Sequence, residues 1–83
     1  MSEYRNSYEI KRDILNVCIK STTKTGIVYG ANLNFKIVKK YIDELESKGL
    51  LKRFKEDKKT LYRTTEYAFI EIIPLANQLM NMF

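Results

Sequence analysis

Histidine is absent from this 83-residue chain, and cysteine and proline occur once each. One cysteine cannot form an intrachain disulfide, and without histidine the common structural zinc sites lack their ligands. Histidine is also the side chain used most often in general acid–base catalysis, and the sequence has no glycine-rich phosphate loop. We therefore expect no enzymatic activity, no metal and no cofactor, and Cys18 should be a buried, unreactive thiol.

Long hydrophobic runs are also missing. The most apolar segment, residues 67–83, is interrupted by Glu71 and Pro74 and is too short to span a bilayer. The N-terminus lacks the apolar core of a signal peptide. These features predict a soluble protein without a membrane partner, and the single thiol fits a reducing cytoplasm.

The chain is long enough for one domain, and 45% of its residues are hydrophobic. A domain of this size buries only about 60% of its unfolded surface and usually needs additional support. Because disulfides and zinc are excluded, oligomerisation is the support that remains.

Positive charge is concentrated in the middle of the sequence. Residues 34–65 carry ten basic and five acidic side chains, whereas residues 66–83 carry two acidic and no basic ones. Such segregation is typical of a surface that meets a polyanion, although a lysine-rich solvated surface is the alternative.

The first half of the chain predicts two helices. Asn6 and Glu9 have capping-box spacing, and an apolar row follows, so helix 1 should run from Ser7 to about Lys20. The threonines at 22, 23 and 25 offer N-caps for a short helix 2 over residues 24–29. Gly30 is expected to be the left-handed residue that ends it, and Tyr29 is expected in the core.

The third helix is the clearest. Asn34 caps it and Gly49 ends it, and four apolar residues share the face that should point inward: Phe35, Val38, Ile42 and Leu45. Its lysines lie in the first half and its acids behind them, which is the reverse of what the helix dipole favours. This order indicates that the lysines serve a partner.

Two β-prone runs follow, residues 50–55 and 60–64, separated by a charged four-residue turn, which predicts a hairpin. Thr65 then caps a final helix with an apolar row on more than one face, interrupted by Pro74. We expect this helix to join two copies of the chain through Phe69, Ile72, Ile73, Ala76, Leu79, Met80 and Phe83.

The order of elements is that of a winged helix-turn-helix: a mainly α fold with a small β-hairpin and a C-terminal dimerisation helix. Residues 1–65 would form the DNA-binding part and residues 66–83 the dimerisation helix of one compact domain. The recognition helix would be residues 34–47 and the wing residues 50–64, and these two elements carry the basic segment.

The chain also resembles a known family. The stretches YEIKRDILNVC, TKTGIVYGANLNFKIVKKYIDELESKGLL and LYRTTEYA, within residues 7–68, are similar to small archaeal winged-helix DNA-binding proteins. These are the ten-kilodalton crenarchaeal type and its viral and plasmid relatives, and the run K-T-x-I-x-Y-x-A-N-L-N-F carries most of the resemblance. Membership implies a dimer joined through the C-terminal helix and a role in transcription control or chromosome organisation. The chromosomal type usually has a long antiparallel coiled coil there, and Pro74 departs from it.

Candidate DNA-contacting residues come from three places. On the recognition helix, a groove-facing set and phosphate contacts are predicted at Asn34, Lys36, Ile37, Lys39, Lys40 and Tyr41. In the wing, backbone or minor-groove contacts are predicted at Arg53, Lys55, Lys58, Lys59 and Arg63. A phosphate site at the start of helix 2 would use Thr23, Lys24 and Thr25. Capping alone is the alternative for Asn34 and the threonines, and core packing is the alternative for Tyr41.

The leading functional hypothesis is a homodimeric regulator that binds double-stranded DNA, with the recognition helix in the major groove. An architectural DNA binder with little sequence preference is the second hypothesis. A winged-helix module that docks on another protein is the third.

Overall fold

The computed structural model describes residues 6–71, with side chains from Asn6 to Ala68. Its elements are α1 (Ser7–Val17), α2 (Lys24–Gly30), α3 (Phe35–Ser47), β1 (Leu51–Glu56), β2 (Lys59–Thr64) and α4 (Glu66–Glu71). This order confirms the predicted mainly helical winged helix-turn-helix with one hairpin. Most of the predicted dimerisation helix, Ile72 to Phe83, lies outside the described residues, as does the side chain of Phe69.

Local side-chain hydrogen bonds start each helix where the sequence predicts. The Asn6 side chain accepts from the Glu9 amide at 2.8 Å and the Glu9 carboxylate accepts from the Asn6 amide at 3.2 Å, completing the capping box. Thr23 and Asn34 cap α2 and α3 in the same way. Thr65 Oγ1 accepts from the Ala68 amide at 3.3 Å at the start of α4 and donates to the Gly49 carbonyl at 2.7 Å. Helix α1 ends at Val17, three residues earlier than predicted.

The ends of α2 and α3 share one geometry. At α3, Gly49 has φ +75°, and the amides of Gly49 and Leu50 donate to the carbonyls of Glu46 and Leu45, which is a Schellman motif. At α2, Asn32 takes the left-handed position with φ 56°, and the Leu33 amide donates to the Val28 carbonyl at 2.8 Å. The prediction that Gly30 is left-handed is wrong: Gly30 is the last helical residue of α2.

Gly30 has a different reason to lack a side chain. A Cβ at this position would lie 2.9 and 3.0 Å from the two Cγ atoms of Val17, closer than real Cβ contacts. Glycine at this position therefore lets α2 lie close against the end of α1.

The hairpin is tighter than predicted. Strands β1 and β2 pair antiparallel from Leu51 opposite Thr64 to Glu56 opposite Lys59, leaving a two-residue turn of Asp57 and Lys58. Both turn residues have positive φ, 51° and 68°, the pattern of a type I′ turn that follows the twist of the strands. Thr22 adds a third, one-residue strand by exchanging two backbone hydrogen bonds with Tyr62 at 3.1 and 2.8 Å.

One hydrophobic core joins α1, α2 and α3 with the inner face of the hairpin and, through Ala68, with α4. It consists of Ile10, Ile14, Leu15, Cys18, Ile27, Val28, Ala31, Val38, Tyr41, Ile42, Leu45, Leu50, Leu51, Tyr62 and Ala68. The one buried polar side chain in this described part, Thr64, donates from its hydroxyl to the Leu15 carbonyl at 2.5 Å. The core thus fixes β2 against α1 and sets where the wing leaves the helices.

Two aromatic residues lie where the sequence pattern did not place them. Tyr29, expected in the core, is 76% exposed, and Phe35, expected to point inward, is 50% exposed. Tyr41 instead fills the core position, at 9% exposure. On a helix with 3.6 residues per turn, the buried face centres on Val38, Ile42 and Leu45 and takes in Tyr41, which leaves Phe35 at its border.

Candidate nucleic-acid interface

The exposed face of α3 is the first part of the candidate interface. Val38, Ile42 and Leu45 hold the opposite face in the core, so the solvent-facing residues are those at Phe35, Lys36, Lys39, Lys40 and Asp43. The predicted lysines of this helix are therefore brought together on one surface. Two residues that were predicted to face the groove do not lie on this surface. Tyr41 is buried, and Ile37 packs partly against the core.

Asn34 has the structural role that its sequence context allowed. Its Oδ1 accepts a hydrogen bond from the Ile37 amide at 3.0 Å, so the side chain caps α3. The predicted N-cap is confirmed, and it fixes the start of the helix next to Phe35 and Lys36.

The acidic residues of α3 are all engaged by cations. Asp43 Oδ2 accepts from Lys39 Nζ at 2.6 Å, and this hydrogen bond lowers the pKa of the Asp43 carboxyl. Glu44 is bound by Lys11 of α1, which lowers its pKa, and also by Lys48 at 3.3 Å. These pairs explain the charge order of the helix, because the acids of its second half attach it to neighbouring elements.

Lys36 and Lys40, by contrast, form no ion pair with any described acid. Lys40 Nζ lies 5.4 Å from the centre of the Tyr41 ring, where a cation is weakly attracted by the aromatic face. Both ammonium groups are exposed, so this end of α3 presents unneutralised positive charge to solvent.

Arg53 connects the wing to α3. Its Nε and Nη2 donate to the two carboxylate oxygens of Glu46 at 2.8 and 2.6 Å, a bidentate pair that raises the arginine pKa. Asp43 Oδ1 lies 3.8 Å from Arg53 Nη2, and the guanidinium carbon of Arg53 lies 5.5 Å from the centre of the Tyr62 ring. Because Nε and Nη2 donate to α3, Arg53 links the wing to this helix.

The other basic residues of the wing divide between its two faces. Side chains alternate along a strand, so Arg53 and Lys55 share the inner face with buried Leu51 and Tyr62. Lys59 and Arg63 lie on the outer face, and Lys58 is in the turn. The structure therefore brings Lys55 to the side facing α3 and does not bring all five predicted wing residues onto one face.

The three residues of the predicted phosphate site at the start of α2 differ in their exposure and hydrogen bonding. Thr23 Oγ1 accepts from the Gly26 amide at 3.1 Å, so capping occupies this hydroxyl oxygen. Thr25 is exposed, whereas Lys24 is half-buried in a cleft that it shares with Lys39, Asp43 and Arg53.

Two residues of this region were missed by the sequence analysis. Lys52 is exposed and lies directly opposite Arg63 across the hairpin, which doubles the positive charge at the base of the outer face. The signal available for it was its place in the predicted first strand, next to Arg53. Phe35 was assigned to the core because its spacing to Val38 and Ile42 matches a helical face.

No group of three or more candidate ligands that could hold a metal ion occurs among residues 6–68. Cys18 is fully buried, and burial raises the pKa of its thiol to about 12. A thiol in this state is protonated and inaccessible at neutral pH. Within the same part of the chain, no helix has the length and apolar composition needed to cross a membrane.

Comparisons with known proteins agree with this architecture. The family model described as a winged helix-turn-helix matches residues 4–68. The DNA-binding protein Sso10a-2 from Sulfolobus solfataricus is similar in structure with a TM-score of 0.74 and 30% identity, over 94% of this chain and 88% of that one. A search of curated proteins gives no significant match.

More distant structures share the fold. The transcriptional regulator PcaV from Streptomyces coelicolor, solved with its natural ligand, is 15% identical with a TM-score of 0.65, over 99% of this chain and 65% of that one. ZitR from Lactococcus lactis, solved in complex with DNA, is 16% identical with a TM-score of 0.61, over 99% and 65% of the two chains. The chain therefore belongs to the winged helix-turn-helix family, and it is similar to a small archaeal DNA-binding protein of that family.

Proposed function

We propose that this protein binds double-stranded DNA as a homodimer and acts as a transcriptional regulator, with α3 in the major groove and the wing on the backbone or minor groove. The observation that carries the proposal is the exposed face of α3, where Lys36 and Lys40 have no acidic partner among residues 6–68, in the N-terminal half of the helix that enters DNA in this fold. Sso10a-2 binds DNA and ZitR was solved with DNA, which supports the same activity here.

The proposed contacts differ in kind. Lys36 and Lys40 would contact guanine acceptors or phosphates, and the wing lysines at 55, 58 and 59 would contact phosphates. Lys39 and Arg63, with Thr25 at the start of α2, would add contacts at the margins. Arg53 is assigned to positioning because Glu46 holds its guanidinium.

Salt dependence of duplex binding tests the proposal. Log affinity should fall with log salt with a slope of about −0.9 for each phosphate neutralised. Lys40→Gln should weaken binding and, if Lys40 contacts a phosphate, reduce that slope by about one. Lys48→Gln is the matched control, because Lys48 caps the same helix but pairs with Glu44. Equal effects of the two substitutions would overturn the assignment of the α3 face.

The regulatory role is tested by competition. A regulator should keep a preferred site in the presence of excess non-specific duplex, with half-sites about one helical turn apart for a two-fold dimer. Uniform loss of binding at every site would instead favour an architectural protein.

The homodimer is proposed from the sequence of the C-terminal segment, whose apolar residues repeat at Phe69, Ile72, Ala76, Leu79 and Phe83. Leu79→Asp should convert the dimer into a monomer or unfold it, as measured by sedimentation together with circular dichroism. An intact, folded dimer after this change would exclude the segment from the interface.

A further inference from the structure

We propose that Phe35 reads the C5-methyl group of thymine in the major groove, and so contributes sequence preference that the lysines of α3 do not supply. This inference rests on the proposed DNA-binding function and names a chemical feature of the base that the site recognises. Its basis is the exposure of an aromatic ring at the N-terminal end of a basic helix face.

The position of Phe35 follows from the local structure. It is the first residue of α3, directly after the Asn34 cap, and its side chain is 50% exposed although the residue is large and apolar. Lys39 lies one turn further along the same side of the helix, and Lys36 is the adjacent exposed residue. Phe35 is therefore an exposed aromatic residue on the same helix face as two exposed lysines.

Core packing does not account for this exposure. Val38, Ile42 and Leu45 are at most 2% exposed, and together with Tyr41 they form the buried face of α3 without Phe35. Exposing half of a phenylalanine ring forgoes part of its burial free energy, which the protein would regain if a ligand covered the ring.

The chemistry of the major groove offers one apolar feature to such a ring. Each base pair presents hydrogen-bond donors and acceptors there, and only thymine adds a methyl group, which apolar side chains contact. In helix-turn-helix proteins the N-terminal residues of the recognition helix reach the base edges. Phe35 and Lys36 are these residues, so they would read neighbouring base pairs by different means: the ring by apolar contact and the ammonium by hydrogen bonding.

The test removes the methyl group without changing the hydrogen-bonding pattern. After a preferred site has been selected from random-sequence duplexes, each thymine of a half-site is replaced in turn by deoxyuridine, and affinities are measured. At one thymine per half-site the wild-type protein should lose about three- to fivefold in affinity, the effect expected for one buried methyl group. Phe35→Ala should bind the thymine site more weakly and respond to none of the replacements.

Two further variants separate the ring's contact from a general effect on the fold. Phe35→Leu retains an apolar side chain and should keep part of the thymine preference. Tyr8→Ala removes an exposed aromatic residue from α1, on a different element, and should respond to deoxyuridine as the wild type does.

The possible outcomes distinguish this inference from the function on which it rests. If wild-type protein binds duplex DNA with the expected salt dependence but no deoxyuridine replacement changes its affinity, or the preferred site contains no thymine, only the Phe35 assignment is overturned. The same holds if Phe35→Ala, still folded, keeps the wild-type response. If the wild-type protein binds no duplex, the proposed function itself is overturned.

Discussion

The two residues of the wing turn adopt a backbone conformation that L-amino acids rarely take. Asp57 tolerates positive φ because its short polar side chain can hydrogen-bond locally, but Lys58, at φ 68°, has no such compensation. A basic residue occupies a position where glycine is the usual choice. This is consistent with the proposed contact between the wing turn and the DNA backbone.

Replacing Lys58 by glycine should therefore stabilise the fold and weaken DNA binding. We expect Lys58→Gly to raise the free energy of unfolding by about 0.5–1 kcal/mol, measured by urea denaturation, since the left-handed penalty is removed. Lys59→Gly, one residue later in β2, is the control. It should lower the free energy of unfolding by about 0.5–1 kcal/mol, because glycine in a strand loses more backbone entropy on folding. A destabilised Lys58→Gly variant would contradict this account of the turn.

At the residue scale, the helix N-caps were predicted more accurately than the exposure of side chains. Asn6 and Asn34 were identified because a cap depends on residues within one turn, whereas Thr23 was one of several candidates for the cap of α2. Phe35 was predicted in the core and is half exposed, and for Tyr41 the alternative of core packing is the one observed. Both residues lie at the borders of the buried face of α3. Which edge of the buried face is covered depends on the elements that pack against α3. The spacing of apolar residues along the helix does not show this.

At the scale of elements, the close packing of α1 and α2 determines the position of the helix-turn-helix. The contact of Gly30 with the side chain of Val17 leaves no room for a Cβ, and Val17 is a β-branched residue with little rotamer freedom in a helix. The spacing of the two helices is therefore sensitive to one methyl group.

Gly30→Ala should destabilise the protein by about 1–3 kcal/mol because α2 must move away from α1. Val17→Ala removes both clashing Cγ atoms, so the double variant should be clearly more stable than the sum of the two single effects predicts. Urea denaturation of the four proteins gives this coupling. Strictly additive effects would show that the clash at Val17 is not the cause.

The contact between α3 and the wing is a second element-scale feature. If Glu46 positions Arg53, then Glu46→Gln and Arg53→Lys should each weaken duplex binding by about two- to fivefold without changing the salt slope, because neither removes a phosphate contact. Combining them should add little, since both break the same pair. If Arg53 itself bound phosphate, Glu46→Gln would instead release it and strengthen binding.

The elements themselves were predicted well where the pattern was local. The boundaries of α2 and α3 match within a residue or two, whereas the hairpin turn was predicted two residues too long because Glu56 and Lys59 pair across the strands. The bridge between Thr22 and Tyr62 was not predictable, since a one-residue strand leaves no periodicity.

At the scale of the whole molecule, the arrangement of charge is the central property. The sequence indicated a basic middle segment, and the structure places its lysines on the exposed face of α3 and along the wing. The sequence did not show which of these cations are paired with acidic side chains and which are not. Arg53 and Lys39 are engaged by acids of α3, whereas Lys36 and Lys40 are unpaired with any acid of the described region.

The most direct test of the account is an NMR titration of isotope-labelled protein with a duplex. We predict that the largest amide shift changes occur from Asn34 to Lys40 and around the wing turn from Lys55 to Lys59. The exposed surface of α1 around Tyr8, and the C-terminal end of α3 at Lys48, should change little. Changes centred on α1 and Lys48, with the N-terminal half of α3 unaffected, would contradict the assignment of this face to DNA.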